Sequence, residues 1–203
     1  SDKDKLLDKK YDIVYILTPP KTHFYYFKLL NDRCNTFYIE KPVFLNNEEY
    51  NASRQLNSGV TVLGGYSRRF FNNYVEFQNI IMQAEMKSSI SKVNISEGYN
   101  YKWNPTHLES ITNDELSHII DSFLYILNLY QSKIDIKINT VDGDDITYIY
   151  VDLLINRIPV KIQFSRVEDL INKFNFINSD GDVYSLNSNL NGTISSIISN
   201  TYK

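Results

Sequence analysis

Three short apolar runs, DIVYIL (12–17), TFYI (36–39) and VTVL (60–63), are each of strand length and are separated by segments of helical texture. After the first, TPPKTH breaks the chain before HFYYFKLL, whose apolar residues continue at helical spacing. After the second, EKP stops the strand; Asn47 can cap a helix with Glu48 and Glu49 in its first turn, and Gly59 marks its end. Strand, helix, strand, helix, strand predicts a parallel sheet joined by right-handed crossovers. Such a three-stranded half is not usually a complete domain.

Beyond residue 68 the texture changes. RFFNNYVEFQNIIMQAEM predicts an amphipathic helix, SKVNISEGYNY a strand, and NDELSHIIDSFLYILNLY a second long helix. From about residue 133 the chain is almost wholly β: IDIKINTV, TYIYVDLLIN, PVKIQFSRV, NKFNFINS and VYSLN. Hairpin signals separate them at Asp142-Gly143-Asp144, Asn156-Arg157 and Asp180-Gly181-Asp182. The expectation is an antiparallel meander, an open sheet covered on one face by the two helices.

Composition narrows the function classes. The 203 residues are 42% hydrophobic and 22% charged with a net charge of −3, and no basic block stands out, so neither a nucleic-acid nor an anionic-membrane partner is expected. The single Cys34 leaves no intramolecular disulfide framework, and no secretory signal or membrane span is visible, which makes the cytoplasm the expected location. His23, His107 and His118 lie far apart in sequence, so no metal site is expected.

Ligands of an open parallel sheet bind beyond the carboxyl ends of its strands. Each inferred strand carries its unusual residues there: Thr18-Pro19-Pro20 with His23, then Glu40-Lys41-Pro42, then Gly64-Gly65-Tyr66. Singly, the prolines read as a strand stop and helix entry, and Glu40-Lys41 as a solvated ion pair. Their coincidence on one edge favours a site. In the second long helix Asp114 and His118 are four apart, on one face, and Asp121 follows on the same side. A histidine oriented by a carboxylate is a common general acid–base pair, although first-turn acids beside a merely structural histidine give the same spacing. Arg68-Arg69 can clamp an anion or pair with a nearby acid, and Trp103 can line a sugar site or fill a core.

The series DIVYILTPPKTH, IEKPVFLNNEEY, VLGGYSRRF and DELSHIID resembles the glucose-fructose oxidoreductase and inositol dehydrogenase (Gfo/Idh/MocA) family over nearly the whole chain. The resemblance implies an α/β fold. Part of a Rossmann-like parallel sheet would occupy residues 1–67, and an α+β domain with a large open, mainly antiparallel sheet residues 68–203. It implies an NAD(P)-dependent oxidoreductase acting on a sugar, nucleotide-sugar or polyol. Thr18, Pro19, Pro20, His23, Glu40 and Lys41 would border NAD or NADP. Lys41, Asp114 and His118 would be catalytic; Lys41, Tyr66, Arg69, Trp103 and His118 would meet the substrate, and Asp121 would support the helix. A homo-oligomer would form through the open sheet. The resemblance also implies a preceding strand, a G-x-G-x-x-G turn and a ribose-binding acid, about 60 residues in all. The sequence contains none of these; the expectation is a fragment of a longer enzyme, with a natural truncation that does not bind the cofactor normally as the alternative. A non-catalytic module of the same fold and an NAD-dependent hydrolase or dehydratase stand as alternatives.

Overall fold

The structure, a computed structural model, describes residues 6–56, 59–83, 89–98, 110–130, 133–168, 170 and 173–187. It divides into two units, Ser1–Tyr66 and Ser67–Lys203. Among the described residues no helix is long and apolar enough to cross a membrane.

In the first unit, strands β1 (Val14–Ile16), β2 (Thr36–Ile39) and β3 (Thr61–Gly64) form a parallel sheet in that order. Ile16 is opposite Ile39, and Ile39 opposite Gly64. The crossovers are helices α1 (His23–Leu30) and α2 (Asn47–Leu56). Alternation along the strands sends Ile16, Phe37 and Ile39 into a core with Phe27 and Leu30 of α1, where Phe27 meets the edges of Phe37 and Phe44 at 5.0 and 5.6 Å. Pro20 opens a 3-10 turn, Pro20–Thr22, that leads directly into α1. The cap of α2 differs by one residue from expectation. Asn46 Oδ1 accepts the Glu49 N–H at 2.9 Å, and Glu49 Oε2 accepts the Leu45 N–H at 2.9 Å, a reciprocal arrangement that leaves Asn47 inside the first turn.

The second unit begins with a 3-10 turn, Ser67–Phe70, and helix α3 (Asn72–Met82). Strand β4 (Ile90–Gly98) follows, then a π-helical turn (Thr112–Leu116) that runs into α4 (Ser117–Ile126). The remaining strands are β5 (Ile136–Gly143), β6 (Tyr148–Ile155), β7 (Ile158–Ser165), β8 (Lys173–Asn178) and β9 (Val183–Asn187). Their order in the sheet is β5-β6-β7-β4-β8-β9. Three hairpins fall where the turn residues predict them. Asn156 and Arg157 both adopt positive φ, 50° and 70°, as a two-residue I′ turn requires.

The uninterrupted meander is corrected. β4 lies between β7 and β8, parallel to the former and antiparallel to the latter. Turn chemistry specifies only neighbours joined by tight hairpins, whereas β4 is placed by burial. Its Val93 and Ile95 side chains belong to the same core as Val160 and Ile162 of β7 and Phe174 and Phe176 of β8. Phe123 of α4 stacks on Phe176, and Tyr74 and Phe77 of α3 contact Phe174 and Phe176, so both helices cover one face. Among the described residues no helix covers the other face. Its centre is polar, with Asn94, Ser96, Asp152, Lys161, Gln163 and Asn175 around a shallow cavity of about 410 Å³.

Candidate active site

In the first unit the ladder runs past the strand ends and fixes the loops that carry the unusual residues. The Glu40 N–H donates to Ile16 O at 2.9 Å and the Gly65 N–H to Ile39 O at 2.8 Å. Glu40 turns back on its own loop, Oε1 accepting the Lys41 N–H at 2.9 Å, so its carboxylate orients the Lys41 backbone. Glycine is needed opposite: a Cβ on Gly65 would sit 3.0 Å from both Glu40 Cα and Glu40 Oε1. Lys41 is half-buried, and the Lys41-Pro42 peptide bond is cis. The Tyr66 ring lies against Gly64, where an added Cβ would meet Tyr66 Cδ2 at 3.0 Å.

His23 is fully buried at the start of α1. Its Nδ1 lies 2.9 Å from Pro42 O and its Nε2 2.6 Å from Thr18 O. The ring thus ties the loop after β1 to the loop after β2, with both nitrogens facing backbone carbonyls. Thr22 Oγ1 donates within the same loop, with Thr18 Oγ1 and Pro19 O each at 2.7 Å. Thr18 and Pro20 are half-buried and Pro19 exposed, which leaves this loop as a surface a flat ring could meet. Beside it, burial raises the Tyr38 phenol above its ordinary value, with Glu40 and Tyr15 adding to the shift.

In the second unit the residues expected on one helix split between two geometries. Asp114 lies in the π-helical turn and His118 in the first turn of α4, both half-buried. The wider π turn changes the angle between them from that of an unbroken α-helix, a distortion that occurs often at functional positions. Asp114 Oδ2 accepts from Arg166 Nη2 at 3.0 Å, and Arg166, almost wholly buried at the end of β7, also donates to Ile146 O at 3.2 Å.

Two more arginines pin the same helix. Arg68 Nη1 donates to both oxygens of Glu97 at 2.8 Å, and its Nη2 lies 3.5 Å from Glu115 Oε2. Burial pushes the Arg68 guanidinium toward losing its proton, and Glu97, Tyr74 and Glu115 more than reverse this, raising its pKa above the ordinary arginine value. Arg69 grips Asp121 with two hydrogen bonds, Nε to Oδ2 at 2.8 Å and Nη2 to Oδ1, while its guanidinium lies 4.2 Å over the Tyr130 ring. The Tyr130 hydroxyl donates to Asp121 as well. Both arginines thus pair with acids of the second unit. A cavity of about 660 Å³ opens beside Arg69, between Phe70 of the 3-10 turn and Val75 of α3 on one side and Tyr125 of α4 and Tyr130 beyond its end on the other.

Arg166, Glu97 and Glu115 have no sequence signature, because an isolated charge in a strand or first helical turn reads as solvated. Trp103 lies outside the described residues. Among the described residues no three His, Cys, Asp or Glu side chains are placed to hold a metal ion.

A parallel three-stranded unit followed in sequence by a six-stranded sheet backed by two helices is a fold shared with solved dehydrogenase structures. The chain is similar to a probable dehydrogenase from Thermotoga maritima at a TM-score of 0.73 and 16% identity, covering 92% of this chain and 60% of that one. It is similar to myo-inositol 2-dehydrogenase from Lactobacillus plantarum at 0.71 and 15%, covering 93% and 61%. A myo-inositol dehydrogenase from Corynebacterium glutamicum follows at 0.68 and 17%, covering 91% and 59%. At these identities the likeness establishes the fold, and the chain spans about 60% of the length of these structures. No family model and no curated protein matches the sequence.

Proposed function

We propose that this chain is part of an NAD(P)-dependent oxidoreductase that transfers a hydride to or from a carbinol carbon of a sugar or polyol. The observation that carries the reading is the loop Glu40-Lys41-Pro42. It is held at the carboxyl end of β2 by the β ladder, by the Glu40 carboxylate on the Lys41 N–H and by His23 on Pro42 O. A lysine so fixed, at the edge where parallel sheets bind ligands, has a defined backbone from which to present its ammonium. Dehydrogenases among the structures of the same fold support the same reading.

The residues present fit one end of a dinucleotide. Thr18, Pro19 and Pro20 offer a rigid, partly apolar surface for a flat ring, and Lys41 a cation, whereas the sequence holds no G-x-G-x-x-G turn to take a pyrophosphate. Bound NAD(P) supplies the hydride acceptor or donor. The residue types suit the two tasks that such a transfer sets: an ammonium such as that of Lys41 can stabilise the negative charge developing on a carbinol oxygen, and an imidazole such as that of His118 can accept a hydroxyl proton. Arg166 holds Asp114, and the other two arginines hold the helix, so that His118 stays at a fixed height and rotation. In the reverse direction His118 returns the proton.

Calorimetric titration of NAD(H) and NADP(H) into the protein expressed from its full gene tests the cofactor. Binding of one of them, with Lys41→Ala retaining binding but losing at least ~100-fold in turnover on an identified polyol, is the expected result. Binding of neither cofactor removes the oxidoreductase reading. Undiminished turnover of Lys41→Ala removes the role given to the lysine.

A further inference from the structure

We infer that the outer edge of β5 pairs with the same edge of a second copy of this chain, joining two six-stranded sheets across a twofold axis between Asn139 and Thr140. The inference is independent of the oxidoreductase reading and concerns a surface other than the open sheet face. β5 ends the sheet, with β6 as its one neighbour among the described residues, and all eight of its residues are exposed. Ile136, Ile138 and Val141 are 47%, 61% and 57% exposed, yet they stand opposite Ile155, Leu153 and Val151, which are buried under the helices. The apolar row of the core thus runs out onto the edge strand and stops uncovered. A long apolar edge of this kind is a template for pairing.

The bulge decides the register. Pairing shifts between Ile138 and Thr140, so Asn139 and Thr140 both serve the open face; Asn139 Nδ2 bonds Asp152 Oδ1 at 3.2 Å, and Thr140 stands opposite Asp152. From Ile136 to Gly143 the faces therefore read helix, open, helix, open, open, helix, open, helix. That order is the same in both directions. Antiparallel pairing about a twofold axis demands this symmetry, because residues directly opposite share a face. In an unbulged strand an axis between Asn139 and Thr140 would set opposite faces against each other. A bulge often blunts an edge; here it restores the match.

The chemistry of the resulting pairs agrees. Ile138 would face the partner's Val141, an apolar pair that extends the core row across the seam. Lys137 would face the partner's Asp142, an opposed charge pair on the open face, and Ile136 the partner's Gly143. Each pair occurs twice by symmetry. A pairing set at random would not be expected to match faces, apolar residues and charges together.

Sedimentation equilibrium on the intact 203-residue protein at tens of micromolar tests this, with circular dichroism to confirm that variants fold. The expected result is a dimer that Ile138→Lys weakens by about 100-fold, the side chain being exposed so that the fold survives. Lys137→Asp and Asp142→Lys should each weaken it by about 10-fold, since like charges then face each other twice, and the two together should restore it. Tyr150→Arg, on the open face, should leave it unchanged. A monomeric wild type, a dimer that survives Ile138→Lys, a double variant that fails to recover, or a dimer broken by Tyr150→Arg would each overturn the inference.

Discussion

Replacing Glu97 by glutamine removes one charge from a buried pair while keeping its shape. Arg68 and Glu97 side chains are each 5% exposed, with two hydrogen bonds of 2.8 Å between them. For two unit charges about 4 Å apart, an effective dielectric near 20 gives an attraction of ~4 kcal/mol. Removing one partner of such a pair costs about 3–5 kcal/mol, because the survivor remains buried without its full complement. Glu115, 3.5 Å from Arg68, stays behind as a second carboxylate and softens the loss. We therefore expect Glu97→Gln to cost about 3 kcal/mol, a fall in Tm of roughly 10 °C for a unit of this size. Arg68→Met should cost more, since it strands two carboxylates, Glu97 and Glu115, against each other. Adding Glu97→Leu and Glu115→Leu to Arg68→Met should recover most of the loss, because an apolar replacement of a whole buried ionic cluster is often neutral or better. The assay is urea unfolding followed by hydrogen exchange at β4 and β7 amides, which isolates the second unit. A cost below ~1 kcal/mol for Glu97→Gln, or a milder effect of Arg68→Met than of Glu97→Gln, would refute this account of the cluster.

Other consequences concern single positions. His23→Phe keeps the ring but loses both carbonyl contacts, and should destabilise the first unit by about 2 kcal/mol. Its hydrogen-exchange signature is faster opening at Thr18–Thr22 and at Lys41, with the second unit unaffected; an unchanged exchange rate there would show that the brace is idle. Gly143→Ala should cost clearly more than Gly181→Ala. Both glycines have positive φ, 122° and 91°, but a Cβ at Gly143 also meets the Tyr148 carbonyl, whereas Gly181 has nothing within 4 Å. The Gly181 change should stay near the ~1 kcal/mol of backbone strain alone, measured by thermal unfolding. The Asp144 carboxyl is held below the ordinary carboxylate range by the Thr147 hydroxyl, then by the Thr147, Ile146 and Tyr148 N–H groups, against a small opposing effect of burial. Because the folded value is depressed, its contribution to the β5–β6 turn is full above the ordinary carboxylate range and is lost only as pH falls well below it. By NMR, Asp144 should titrate at lower pH than the acids of ordinary range, and Thr147→Val should move its midpoint upward; an unmoved midpoint contradicts the assignment.

Much of this architecture was legible in the sequence, for a local reason. Strand-length apolar runs, prolines after them and two-residue turns act through neighbouring residues, so the three parallel strands and the hairpins at Asn156-Arg157 and Asp180-Gly181-Asp182 could be read directly. The place of β4 could not. Nothing in SKVNISEGYNY distinguishes an edge from a centre, and only the joint burial of Val93 and Ile95 with residues of β7 and β8 sets it there. The same limit governs the candidate site. TPPKTH and EKP were visible as odd residues at strand ends, but that His23 spends its ring on Thr18 O and Pro42 O depends on two loops meeting in space.

The charged residues show the limit most clearly. Asp114 and Asp121 read in the sequence as acids on the His118 side of one helix, yet they and Glu115 are each met by an arginine from elsewhere in the chain: Asp114 by Arg166, Glu115 by Arg68 and Asp121 by Arg69. Spacing along a helix reveals which acids share a face, not which cation faces them. The Arg68–Glu97 pair is buried on both sides and the other two pairs on one, and the cost of burying them is hard to justify as stability alone, because apolar replacements often serve as well. What ion pairs provide in addition is direction. An apolar contact tolerates sliding, whereas a guanidinium held by two carboxylate oxygens fixes both the rotation and the height of the helix it grips. A helix that begins with a π turn and carries a half-buried histidine is one whose rotation would matter to proton transfer. On the proposed function, Arg69, held by both oxygens of Asp121, with Arg166 on Asp114 and Arg68 beside Glu115, sets the orientation of the helix that carries His118.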